Sequence, residues 1–140
     1  MTLETLENLV KIGKLKKEPA DQKEFDRMLN SARRGINDAK VKGISEDGQF
    51  SFVYGAAHAL ALAALRWHGY RSDNRYLVFQ CLEQTTGLEN AKWRVLDKCH
   101  QLRNHAEYEG LLEITPQLLQ ELVDITEELL QLVSHFDPVQ

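Results

Sequence analysis

The sequence predicts an all-α fold, a single-domain up-and-down helical bundle of five to six helices, and three observations carry that expectation. Apolar residues recur at steps of three and four along nearly the whole chain, with no sustained period-two alternation. The length of 140 residues suits one domain around one core. Three prolines and eight glycines are too few for a loop-dominated or disordered chain.

The elements follow in order. Leu3, Leu6, Leu9 and Val10 make a short first helix within residues 1–18, fading into Gly13-Lys14-Leu15-Lys16-Lys17. After Pro19, the series Phe25, Met28, Leu29, Ala32, Ile36 and Ala39 predicts a helix that ends near Gly43. Glu46-Asp47-Gly48 reads as a loop-like break. A long helix then runs from about Phe50 to His68 and stops at Gly69. Ser72 or Asp73 suits the cap of a shorter helix through Tyr76, Phe79 and Leu82, closed by Thr85-Thr86-Gly87. The next helix extends from about Leu88 to Tyr108 and ends at Gly110. Thr115-Pro116 opens the last helix, with Leu118, Leu122, Ile125, Leu129, Leu132 and Phe136 on one stripe.

Composition narrows the function classes. Cys81 and Cys99 form no C-x-x-C pair and no disulfide framework, so a reducing, cytoplasmic location is expected. The start, Met1-Thr2-Leu3-Glu4, lacks the basic and apolar regions of a secretory signal. The apolar run Phe50 to Leu65 contains Ser51 and His58 and reads as too short to span a bilayer, so no membrane is expected. The net charge of −4 is unevenly spread: +1 over residues 1–65, +3 over 66–105 and −8 from 106 onward. Phosphate backbones reward local positive charge, which makes the middle segment the candidate nucleic-acid face. Within it, Arg66-Trp67-His68-Gly69-Tyr70-Arg71-Ser72-Asp73-Asn74-Arg75-Tyr76 interleaves arginines with rings, a mixture suited to single strands, with Arg71 and Arg75 as candidate phosphate contacts.

The helix over 88–108 carries the densest chemistry. Wound at its helical pitch, Leu88, Ala91, Val95, Cys99, Leu102 and Ala106 form a narrow stripe expected to face the chain's own core. The far side holds Trp93, Leu96, His100, Arg103, Asn104 and Glu107, with Tyr108 at its edge. Large apolar residues among polar ones suggest a face buried against a partner or flanking a cleft, and a homodimer through Trp93 and Leu96 is expected. His100, Asn104 and Tyr108 step by four, and Arg103 and Glu107 form an adjacent i,i+4 pair. His105 falls about 140° from His100 around the helix, outside the cluster.

Arg103-Asn104 followed by a polar ring at 108, late in a bundle, resembles the signature of HEPN domains (higher eukaryote and prokaryote nucleotide-binding). Phe52-Val53-Tyr54-Gly55-Ala56-Ala57-His58-Ala59-Leu60, with Ala63-Ala64-Leu65 and Gly69-Tyr70, is similar to that family's aromatic- and alanine-rich helix, and Phe25 to Ala39 to its first long helix. The resemblance covers about residues 22–132. It implies a bundle whose motif arginine and histidine line a cleft at a two-fold interface and cut RNA without metal or cofactor, in a toxin or defence role. On these residues it implies that Arg103 holds phosphate, with Asn104, Tyr108 and His100 completing a catalytic set and Glu107 among the binding residues. A guanidinium fork fits phosphate oxygens, and an imidazole moves protons near neutral pH. The sequence departs from the pattern where the family places its histidine: Tyr108, Glu109 and Gly110 stand there. The alternative is a non-catalytic module that binds a nucleotide, RNA or a protein, such as a small nucleotidyltransferase. Neither H-x-x-x-H nor Glu-x-x-His occurs, so no metal site is expected, and His58 reads as a histidine at the core edge.

Overall fold

A computed structural model describes residues 2–139 and shows an all-α bundle. Its helices are α1 (Thr2–Lys11), α2 (Gln22–Asp38), α3 (Glu46–Trp67), α4 (Arg75–Gln80), α5 (Leu82–Thr86), α6 (Asn90–Glu109) and α7 (Pro116–Ser134). Helices α4 and α5 meet at Cys81, which ends one and begins the other, so the path there is one bent helix.

Helix ends follow side-chain chemistry. Asp21 accepts a hydrogen bond from the Glu24 amide at 2.9 Å and starts α2, and Thr115 accepts from the Leu118 amide at 3.1 Å ahead of Pro116. Two expected boundaries move. Glu46-Asp47-Gly48 is the first turn of α3, because the Ser45 hydroxyl accepts from the Gly48 amide at 3.0 Å. The two carboxylates then sit where the helix dipole favours them. The cap of α4 is Asn74, whose side-chain oxygen accepts from the Leu77 amide at 3.1 Å, while Ser72 instead accepts from the Asn74 amide.

Helix α3 is the central post, packed against α2, α7, α4, α5 and α6. Phe50, Val53, Tyr54, Ala57, Leu60, Ala61, Ala64 and Leu65 are buried along it. Its many alanines let neighbours approach closely. At the α2 crossing, Gly35 lies where an added Cβ would stand 3.0 Å from the Phe52 carbonyl oxygen, so the two backbones meet there without a side chain between them. With the extra turn, α3 spans 22 residues and is long and apolar enough to cross a membrane by length and composition, contrary to the shorter run read from the sequence. Burial of its apolar residues inside the bundle accounts for that composition.

The chain also forms a two-residue antiparallel ladder that periodicity did not signal: β1 (Lys16–Lys17) pairs with β2 (Tyr70–Arg71), in the register Lys16 to Arg71 and Lys17 to Tyr70. It ties the basic loop after α1 to the segment between α3 and α4.

Candidate phosphate-binding site

Tyr54 is the centre of the site. It lies on α3 with 2% of its surface exposed, stacked between Phe50 at 5.8 Å and His100 at 6.4 Å, with Phe79 edge-on at 5.9 Å. Two guanidiniums approach the same ring. Arg103 from α6 stands 5.4 Å from its centroid and Arg75, the first residue of α4, stands 5.8 Å away. The negative face of an aromatic ring attracts cations, which holds both arginines without neutralising either. Arg103 Nη2 also donates to Glu107 Oε1 at 2.9 Å. Arg75 makes no ion pair among the described residues, and its guanidinium lies against the Tyr54 ring.

The polar chain continues along α6. His100 Nδ1 lies 2.9 Å from the Tyr54 oxygen, and Asn104 Nδ2 lies 3.2 Å from His100 Nε2. An amide nitrogen only donates, so this geometry assigns Nε2 as the acceptor and Nδ1–H as the donor to Tyr54. The Tyr54 oxygen then accepts from His100 inside the bundle. Burial pushes the Tyr54 pKa up against the lowering pull of Arg75 and Arg103, so the phenol keeps its proton.

Two imidazoles near this cluster have lowered pKa values. Burial lowers His100, Asp97 draws it back upward, and Arg75 and Arg103 lower it further, for a net decrease. His58, one turn beyond Tyr54 on α3, is held to about 4, first by burial and then by Arg75, Arg103 and His100. Its ring meets Phe79 edge-on at 6.0 Å, and it has no hydrogen bond among the described residues. Beside Arg103 runs an open groove of about 320 Å³, walled by Asp47, Phe50, Ser51, Ala106, Glu107 and Leu112. Among the described residues no three His, Cys, Asp or Glu side chains converge on a metal position.

The structure therefore joins Arg103, Asn104, His100 and Glu107 with Arg75, which the sequence offered as part of a separate segment. It separates others. Tyr108 is 88% exposed at the end of α6, and Asn104 pairs with His100 instead. Arg71 is not available as a phosphate contact: it donates to Glu18 at 2.9 Å and Glu24 at 2.5 Å, beside buried Arg66. Leu96 is fully buried in the chain's own core, which removes it from any face offered to a second copy. The expected core stripe is rotated: Leu96 and Cys99 are fully buried while Ala91 is exposed, because α6 is flanked by α4 on one side and α7 on the other. One chain thus covers two faces of this helix. Trp93 remains half-buried under Arg94 at 5.6 Å, with its indole nitrogen buried and unpaired among the described residues. His105 pairs with Glu113 at 3.3 Å, outside the cluster as expected.

Tyr54 and His58 were missed as site residues. The available signal was their i,i+4 spacing on a helix otherwise built from alanine and leucine, where a phenol and an imidazole have no packing reason to share one line. Comparison of the chain with protein-family models, with curated proteins and with solved structures returned no match.

Proposed function

We propose that this protein is a HEPN-like, RNA-directed module whose site grips a backbone phosphate between Arg75 and Arg103. One observation carries the reading: two guanidiniums share one tyrosine ring, while only one of them has a carboxylate partner. Like charges set together over a buried ring favour an anion between them. Phosphate oxygens match guanidinium forks, and RNA offers them in series. The test is anisotropy of labelled single-stranded RNA at low salt. Wild type binds, Arg103→Ala and Arg103→Lys each lose about tenfold or more, and affinity falls steeply with salt. Binding that survives both substitutions contradicts the reading.

Cleavage is the second reading, favoured by His58. His100 has both ring nitrogens engaged, whereas His58 is a neutral imidazole beside both arginines without a hydrogen bond among the described residues. In that reading His58 takes the proton of a ribose 2′-hydroxyl as its oxygen attacks the adjacent phosphorus. The bond to the 5′-oxygen breaks, water supplies that oxygen's proton, and a 2′,3′-cyclic phosphate and a 5′-hydroxyl result. Cyclic ends that vanish in His58→Gln support this chemistry. Intact RNA after long incubation with wild type leaves binding alone as the activity. Light scattering addresses the expected homodimer, whose proposed face now keeps Trp93 without Leu96.

A further inference from the structure

Next to Arg75 the surface continues into two adjoining clefts that the site above does not use. One, of about 210 Å³, is lined by Lys14, Lys16, Ser72 and Asp73. The other, of about 420 Å³, is lined by Leu9, Tyr76, Leu77 and Gln80. Gly13, Lys14 and Asn74 border both. The β1–β2 ladder fixes this basic loop against the start of α4. Charge bookkeeping around the loop is selective. Lys17 is paired with Glu7 at 3.0 Å and Arg71 with Glu18 and Glu24. Lys14 and Lys16 are exposed and make no ion pair among the described residues, and Asp73 is the carboxylate on the cleft wall.

The second cleft also carries an aromatic ring. Tyr76 is 42% exposed, and its hydroxyl accepts from Gln80 Nε2 at 2.8 Å, which fixes the ring's position. Asn74, Arg75 and Tyr76 are consecutive at the start of α4, so one short rigid segment carries both the cleft wall and the phosphate-gripping arginine.

We infer that the ligand is a single-stranded nucleic acid rather than a mononucleotide, with Lys14 and Lys16 holding further phosphates and Tyr76 stacking a base. This extends the reading of Arg75 and Arg103 as a phosphate grip and rests on it. Alternating cations and rings along a groove are what single strands require, because every base has a stackable face and every nucleotide a charge.

The experiment compares wild type, Lys14→Ala/Lys16→Ala, Tyr76→Ala and Arg103→Ala, each checked by thermal melt, against a labelled single-stranded RNA of about twelve nucleotides. The substituted side chains of the first two variants are solvent-exposed, so both fold. The lysine pair is expected to weaken binding about tenfold at about 50 mM salt and to flatten the slope of log affinity against log salt by about 1.4. Tyr76→Ala lowers affinity and leaves the slope unchanged, because stacking releases no counterion. Loss of binding in Arg103→Ala alone, with unchanged affinity and slope in the lysine pair, overturns the extended strand site and leaves the phosphate grip standing. No binding by wild type overturns both.

Discussion

Two arginine pairs lie one after the other in the chain, and their surroundings make them opposites. Arg66 is 2% exposed, and its fork is fully occupied. Nε donates to Glu24 at 2.7 Å, Nη1 to the carbonyls of Glu18 and Tyr70, and Nη2 to the Pro19 carbonyl at 2.7 Å. Arg71 completes a square with the same two glutamates. Two cations face two carboxylates, and the result clasps the end of α3 to the segment that opens α2. Arg75 and Arg103 instead share a ring, with one carboxylate between them. Charge with its partners built in is scaffold. Charge held near a ring without a full set of partners is open to a ligand.

Substitution should separate the pairs sharply. Arg66→Ala has the largest effect, since it leaves three carbonyls without their donor and takes from Glu24 one of its two arginines, and a loss of about 3–5 kcal/mol is expected in urea denaturation. A loss below about 1 kcal/mol would erase the distinction drawn between the pairs. Arg71→Glu sets a third carboxylate against Glu18 and Glu24, so it lowers the melting temperature well before it speaks to RNA binding. It is therefore a poor probe of nucleic-acid contact, whereas Arg75→Glu is a good one.

The clasp also has a pH signature. Burial raises Glu24, but hydrogen bonds from Arg71 and Arg66 outweigh it and leave the carboxyl below its ordinary range. A depressed folded value means the contribution is complete above the unfolded pKa of about 4.3 and is lost as pH falls through the folded one. Acid unfolding curves of wild type should steepen in that window, and Arg71→Ala should flatten them. His58 adds a second, separable loss. Its ring stays neutral to about pH 4, so stability falls as pH drops from about 6.5 toward that value. An NMR titration of His58 centred near 4 is expected, moving upward only in part in Arg103→Ala, because burial is the larger cause.

Much of the fold was legible because periodicity and caps are local. The Thr115-Pro116 start, the Gly110 stop and the long alanine-rich helix all rest on neighbours in sequence. The site was half legible for the same reason. Arg103, Asn104, His100 and Glu107 share one helix, so their spacing displayed them. Tyr54 stands 46 residues from His100, and Glu18 and Glu24 stand 53 and 47 residues from Arg71. A helical wheel sorts residues by face but does not say which neighbour covers that face. That is why Arg71 read as free, Leu96 as exposed to a partner, and Tyr54 was not singled out.

The smallest expected stability change accompanies the largest functional one, at Arg103. Its pair with Glu107 and its place over Tyr54 stabilise the fold weakly, and its removal relieves repulsion from Arg75, so Arg103→Ala should change stability by less than about 1 kcal/mol. The direct test is a thermal melt of wild type and Arg103→Ala, each with and without single-stranded RNA. Wild type should melt higher with RNA, and the variant should melt close to ligand-free wild type and gain clearly less from RNA. A variant that melts clearly lower, yet is still raised by RNA as much as wild type, would make Arg103 scaffold and contradict the account.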